Sequence, residues 1–153
     1  MLTLHFAIIL PLLIILAFTL EGSASFPGWT RAFANFAFTL LLDDFLLYWV
    51  HRISHWPQFY RFHKLHHDYL DPFGMVSEYL DPFELALICL ASGAGAHIAG
   101  SSPIEIMFLV GFRSYLDVEH HCGFAYPWSP QNWLPGFIGS HYHDFHHEAF
   151  VRK

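Results

Sequence analysis

From Leu2 to Leu20 the chain carries no formal charge, and Leu, Ile, Phe and Ala dominate. A run of that length suits a helix crossing roughly 30 Å of hydrocarbon, where no water can satisfy an open backbone and a helix satisfies its own. Pro11 is accommodated in such a span by local adjustment. Residues 31–50 form a second stretch, apolar apart from Arg31, Asn35, Asp43 and Asp44, and its pattern predicts a helix continuing to Trp56, before Pro57. Two further starts share one chemistry: Asp81-Pro82-Phe83-Glu84 and Ser102-Pro103-Ile104-Glu105 each offer an N-cap, a proline at N1 and a glutamate at N3. They predict spans over 82–100 and 103–119, joined by the tight break Gly100-Ser101-Ser102. Ala91, Gly95 and Ala99, at four-residue spacing, make a small-residue ridge on which another helix can approach closely.

The expected fold is therefore all-α: an integral membrane four-helix transmembrane bundle with spans 2–20, 31–50, 82–100 and 103–119, and a cytosolic histidine-rich helical cap from 51–81 and 120–150. Four spans take about 80 positions, which leaves too little chain for a second soluble core, so residues 1–153 are read as one membrane-embedded domain. Ser23-Ala24-Ser25 resembles a small-residue cleavage site, which would make 1–25 a signal peptide, but no Lys or Arg precedes the apolar run.

Composition narrows the function classes. Charged residues make up 13% of the chain, against about a quarter in soluble domains. A net charge of -6 with only 7 Lys+Arg excludes a basic nucleic-acid surface, and 17 Phe, 5 Trp and 7 Tyr exclude disorder. Cys89, in an apolar run, and Cys122, beside a His pair, read as unpaired small residues. Basic residues concentrate on the cytoplasmic side of membrane proteins. Arg52, Arg61, Lys64, Arg113, Arg152 and Lys153 fall on one side of the four-span layout and only Arg31 on the other, which directs 50–81 and 116–153 to the cytosol.

Those two segments hold the histidines. His51 and His55; His63, His66 and His67; His120 and His121; and His143, His146 and His147 form four groups, and with His141 they account for 11 of the 13 His. Helical positions three and four apart share a face, so each group can present several imidazoles together, whereas the isolated His5 and His97 read as structural residues. Eight or nine converging imidazoles exceed the three or four protein ligands of one zinc, so two metals are the natural count. Imidazole accepts iron, zinc, copper or nickel, and ligand type alone does not choose among them. Asp44 and Tyr48 recur at helical spacing with His51 and His55, so Asp44 either accepts the second ring N–H of a bound His or, like Asp43, pairs with Arg52 or Arg113. No phosphate-cradling glycine loop, Gly-x-Ser-x-Gly elbow or His-Glu-x-x-His occurs. Intramembrane zinc hydrolysis would leave most of the His groups unexplained.

The succession His-x-x-x-His, His-x-x-His-His, a further His, and again His-x-x-His-His resembles the fatty acid hydroxylase/sterol desaturase superfamily of integral-membrane non-haem di-iron oxygenases, over roughly residues 40–150. Within it, Pro72-Phe73-Gly74-Met75, Glu78-Tyr79, Pro82-x-Glu84, His121-Cys122-Gly123-Phe124 with Pro127, and Gly139 through His147 are most similar to the C4-methylsterol oxidases. The resemblance implies His51, His55, His63, His66, His67, His121, His143, His146 and His147 as ligands of two Fe ions, with His120 a further candidate. Asp117, four residues before His121, stays open as ligand, support or ordinary helix residue.

The implied activity is O2-dependent hydroxylation of a C–H bond, repeated in the C4-methylsterol branch on one methyl group up to the carboxylate. Electrons would come from NAD(P)H through cytochrome b5 and its reductase, and the substrate, a sterol or fatty-acyl lipid, from the bilayer. The implied location is the endoplasmic reticulum membrane, multi-pass, with the His boxes facing the cytosol; a homo-oligomer stays open. Two departures bear on this. Relatives continue past the last box with a Gly-Asn-Tyr type element, whereas this sequence stops three residues after Phe150, as a fragment, shortened isoform or incomplete gene model would. Cys122 and Phe124 stand where Ser and Tyr are common. The alternatives on the same metal site are a fatty-acyl or sphingolipid hydroxylase and a sterol C5-desaturase; from another class, a truncated, catalytically silent membrane protein.

Overall fold

The computed structural model describes residues 28–133 and 139–151. The expected span 2–20, the signal-peptide alternative and His5 lie outside them. All regular structure among the described residues is helical: α1 (Trp29–Ser54), α2 (Tyr60–His63), α3 (Pro82–Ala99), α4 (Pro103–His120) and α5 (Ser140–Val151), with short 3-10 turns at His66–Asp68, Gly74–Glu78 and Pro130–Asn132.

Local chemistry sets the helix limits. Gly28, at φ 87, opens α1 in a conformation that glycine adopts without strain. The Asp81 side chain accepts from the Phe83 N–H at 2.8 Å, with Pro82 at the first position of α3. Gly100, at φ 64, ends that helix in the left-handed region, and the Ser101 N–H donates back to the Ala96 carbonyl at 3.0 Å. Ser102 and Glu105 cap α4 reciprocally: the Glu105 N–H donates to Ser102 Oγ at 3.4 Å and the Ser102 N–H to Glu105 Oε2 at 2.7 Å.

Packing centres on α1 against α3, with α4 beside them. A Cβ added at Gly95 would lie 3.6 Å from the Asp43 backbone nitrogen and 3.6 Å from Leu46 Cδ1, so the small-residue ridge does bring the two helices into backbone proximity. Arg113 of α4 reaches the buried Asp43 of α1, Nε to Oδ2 3.2 Å. Assigned from sequence to one side of the bundle, Arg113 is thus committed to an ion pair between helices. The 3-10 turn Gly74–Glu78 lies against α4, where Val76 and Leu116 are buried.

Two of these helices, α1 and α3, are long and apolar enough to cross a membrane by length and composition. With 26 residues, α1 extends about 39 Å. The expected span over 103–119 forms a helix of the expected extent, but Glu105, Arg113, Asp117 and Glu119 keep α4 from meeting the same test. Membership of a four-helix bundle with a cytosolic cap therefore stays an expectation for this chain.

Candidate metal centre

Four stretches bring the histidines to one end of the helices. His51 lies in the last turn of α1 and His55 caps it. His63 ends α2, while His66 and His67 stand on the 3-10 turn that follows. His121 caps α4, and α5 carries His143, His146 and His147.

The rings sort into two groups of four, each with one ligand nitrogen per residue and all within 4.8 Å of one another: His51, His55, His63 and His146; and His66, His121, His143 and His147. In the first, Nε2 of His51, His55 and His146 form a triangle with sides of 3.0, 3.0 and 3.2 Å, and His63 Nε2 lies 3.1 Å from that of His55. In the second, the Nε2 atoms run from His66 to His121 at 3.1 Å, His121 to His143 at 2.8 Å and His143 to His147 at 3.2 Å. His67 stands between the groups, Nε2 3.0 Å from that of His63 and its ring centroid 4.4 Å from that of His147.

Each His-x-x-His-His box is divided between the groups. At 3.6 residues per turn, adjacent helical positions point about 100° apart, so His146 turns to the first group while His143 and His147 turn to the second. The box 63–67 is not one helical turn, because the chain passes from α2 into a 3-10 turn at Lys64 and Leu65. His63 joins the first group and His66 the second, with His67 against both.

The chemistry of this donor set fits a cation. A neutral imidazole carries one N–H and one in-plane lone pair, so each Nε2 is either a donor or an acceptor. Three such atoms in a mutual triangle cannot all be satisfied by one another. They can all be satisfied if each turns its lone pair to a shared ion, and donors held at about 2.1 Å stand roughly 3.0 Å apart when they subtend a right angle.

The surroundings keep the rings neutral. Burial first, and then neighbouring imidazoles, depress His55 and His147 to about 3, His67 to about 2 and His146 to about 4, from an ordinary 6.5. His66 and His143 are displaced the same way by the same causes. Ring orientation is set from behind at two positions. His121 Nδ1 donates to the Asp117 carbonyl at 2.7 Å, and His63 Nδ1 makes a short contact with the buried Glu84 carboxylate.

The remaining sequence candidates lie elsewhere. Asp44 is largely exposed, 4.0 Å from Arg113, and the Asp117 carboxylate lies 3.6 Å from Arg113. Tyr48 is exposed, and its hydroxyl accepts from Arg52. His120 reaches the edge of the centre, its ring centroid 5.7 Å from that of His143, without joining either group. Glu84 went unrecognised as a site residue: in sequence it reads as the third residue of a capping box. An apolar cleft of about 200 Å³ opens beside Glu84, lined by Val50, Ile53, Phe59, Phe62, Phe83 and Leu87.

Comparison with known proteins agrees with the motif. The sequence model of the family described as fatty acid hydroxylase matches residues 36–153. Methylsterol monooxygenase 2-2 of Arabidopsis thaliana is 35% identical over 97% of this chain and 58% of its own length. Very-long-chain aldehyde decarbonylase GL1-11 of Oryza sativa subsp. indica is 36% identical over 88% of this chain and 51% of its own length. Methylsterol monooxygenase 2-1 of Arabidopsis thaliana is 35% identical over 88% of this chain and 54% of its own length. The chain thus spans little more than half the length of the curated relatives it matches. No solved structure matches it. Two helices of membrane-spanning length and composition, two tetrads of imidazole and a family match over most of the sequence converge, and the chain belongs to the fatty acid hydroxylase family.

Proposed function

We propose that this chain is a membrane oxygenase that binds two iron ions, one in each imidazole group, and oxidises a sterol C4-methyl group with O2 in sterol biosynthesis. The observation that carries the reading is the Nε2 triangle of His51, His55 and His146, an arrangement that a cation satisfies and hydrogen bonding does not. When bound, such ions activate dioxygen toward a C–H bond. The chain's own residues hold them: His51, His55, His63 and His146 on one side, His66, His121, His143 and His147 on the other, with His67 between. Burial of these rings keeps them in the neutral form that binds metal.

The sterol assignment rests on the methylsterol monooxygenases among the relatives. The cleft beside Glu84 suits an apolar substrate, although at about 200 Å³ it falls below the usual 300–1,000 Å³ of a ligand site and would take only part of one. Reducing equivalents from NAD(P)H through cytochrome b5, residence in the endoplasmic reticulum membrane and a cytosol-facing metal end complete the proposal. A second reading, oxidation of a long-chain fatty-acyl-derived lipid, draws on the aldehyde decarbonylase relative at 36% identity. Lipid analysis of cells lacking the protein separates the two. Accumulated 4-methylsterols support the first, altered long-chain acyl lipids with unchanged sterols support the second, and no lipid change supports a catalytically silent chain.

A further inference from the structure

The two imidazole groups are alike in ligands and unlike in what stands behind them. The second group's His121 is held by a neutral backbone carbonyl, that of Asp117 at 2.7 Å. The first group's His63 is held by a full carboxylate, Glu84 Oε1, brought from α3 across 21 residues of sequence. Glu84 is only 3% exposed, and its other oxygen, Oε2, is buried with no hydrogen-bond partner among the described residues. A carboxylate buried with one neutral N–H donor is poorly compensated. Positive charge beyond the ring would compensate it, and the imidazole between them is the conduit: its Nδ1 faces the carboxylate, and its Nε2 faces the first group, 3.1 Å from His55.

We infer that Glu84 is the positioning residue and counter-charge of the first metal position, acting through His63, and that the two positions therefore differ in what sustains them. Fixing the proton on Nδ1 leaves the Nε2 lone pair directed at the ion, and the negative charge makes that nitrogen a stronger donor. The helix does not need Glu84 for its own start, because Asp81 and Pro82 already supply the N-cap and first turn. This inference rests on the two-metal reading above.

The test uses the full chain, purified in detergent, stripped with a chelator and titrated anaerobically with Fe2+, with Mössbauer spectra recorded at saturation. Wild type is expected to take up two ions in two distinguishable environments. Glu84→Ala should weaken one position by about 10–100-fold, leave the other at wild-type affinity and change the spectrum of one ion alone. Glu84→Gln, which preserves volume and an acceptor oxygen but no charge, should fall between. It also provides the reading if the alanine variant loses its helical circular dichroism. Two wild-type positions in a helical variant would overturn the inference, as would equal loss of both. A wild-type chain that takes up no Fe2+ would overturn the two-metal reading itself, and this inference with it.

Discussion

Two of the polar clusters among these apolar helices differ in whether their hydrogens suffice. Where the α3–α4 turn meets α1, Asn35 Nδ2 donates to Glu105 Oε1 at 3.2 Å and Ser101 Oγ at 3.4 Å, Thr39 Oγ1 donates to the Asn35 carbonyl at 2.8 Å, and Ser101 Oγ lies 2.9 Å from Thr39 Oγ1. Donors meet acceptors throughout, and the knot ties the turn to α1. At the histidine end, the Nε2 atoms of His51, His55 and His146 face one another at 3.0 to 3.2 Å, and three groups that are each either donor or acceptor cannot all pair among themselves. A buried polar cluster is thus not in itself a ligand site. The imbalance between donors and acceptors distinguishes a place that suits a cation from one that holds helices together.

The contrast is broken most severely at the histidine end. His121→Ala removes the ring that links His66 and His143 in the second group, so turnover should fall to background and bound iron from about two per chain to about one. Assay of turnover and metal analysis of the variant check this, and full activity with two ions would contradict it. Acid acts on all the rings together. Because His55, His67, His146 and His147 titrate far below 6.5 in the fold, the unfolded chain binds protons first as pH drops. Their contribution to stability is complete above about pH 6.5 and is lost as pH falls toward 4 and below. Thermal unfolding of the metal-free chain between pH 8 and pH 4 should give a falling midpoint; a flat profile would exclude buried neutral imidazoles.

Away from the rings the effects fall on folding. Asp43→Ala takes from Arg113 its buried partner and leaves it with Asp117 at 3.6 Å and Asp44 at 4.0 Å, so it should cost about 1.5–3 kcal/mol while His66, His121, His143 and His147 keep their ion. Denaturant unfolding alongside metal analysis reads both. Thr39→Ala, in the knot where every donor has a partner, should cost only about 1 kcal/mol and leave metal content unchanged. A loss of iron in this variant would mean that the two polar ends are coupled.

Helix limits were legible because they are written in local chemistry. Pro82, Pro103 and Gly100 place α3 and α4 within a residue of expectation, and the capping box at Ser102 and Glu105 forms as its pattern predicts. The identically patterned Asp81 and Glu84 diverge. Glu84 turns from the backbone to His63, a partner supplied by tertiary packing that no local window contains. Asp44 illustrates the converse limit. Its periodicity with His51 is sound, yet seven residues of helix separate them by about 10 Å, too far for a carboxylate to reach the ring. The neighbouring Asp43, pointing about 100° away, meets Arg113 instead. The division of each box between two groups follows from helix geometry, but which group each ring joins depends on how α1, α4 and α5 converge.

The account depends on two separate cation positions, and metal analysis of the purified, iron-reconstituted chain measures that most directly. About two ions per chain, displaced together by acid, is the predicted result. A chain with intact helical circular dichroism that binds none, or one ion shared across all nine imidazoles, would contradict it.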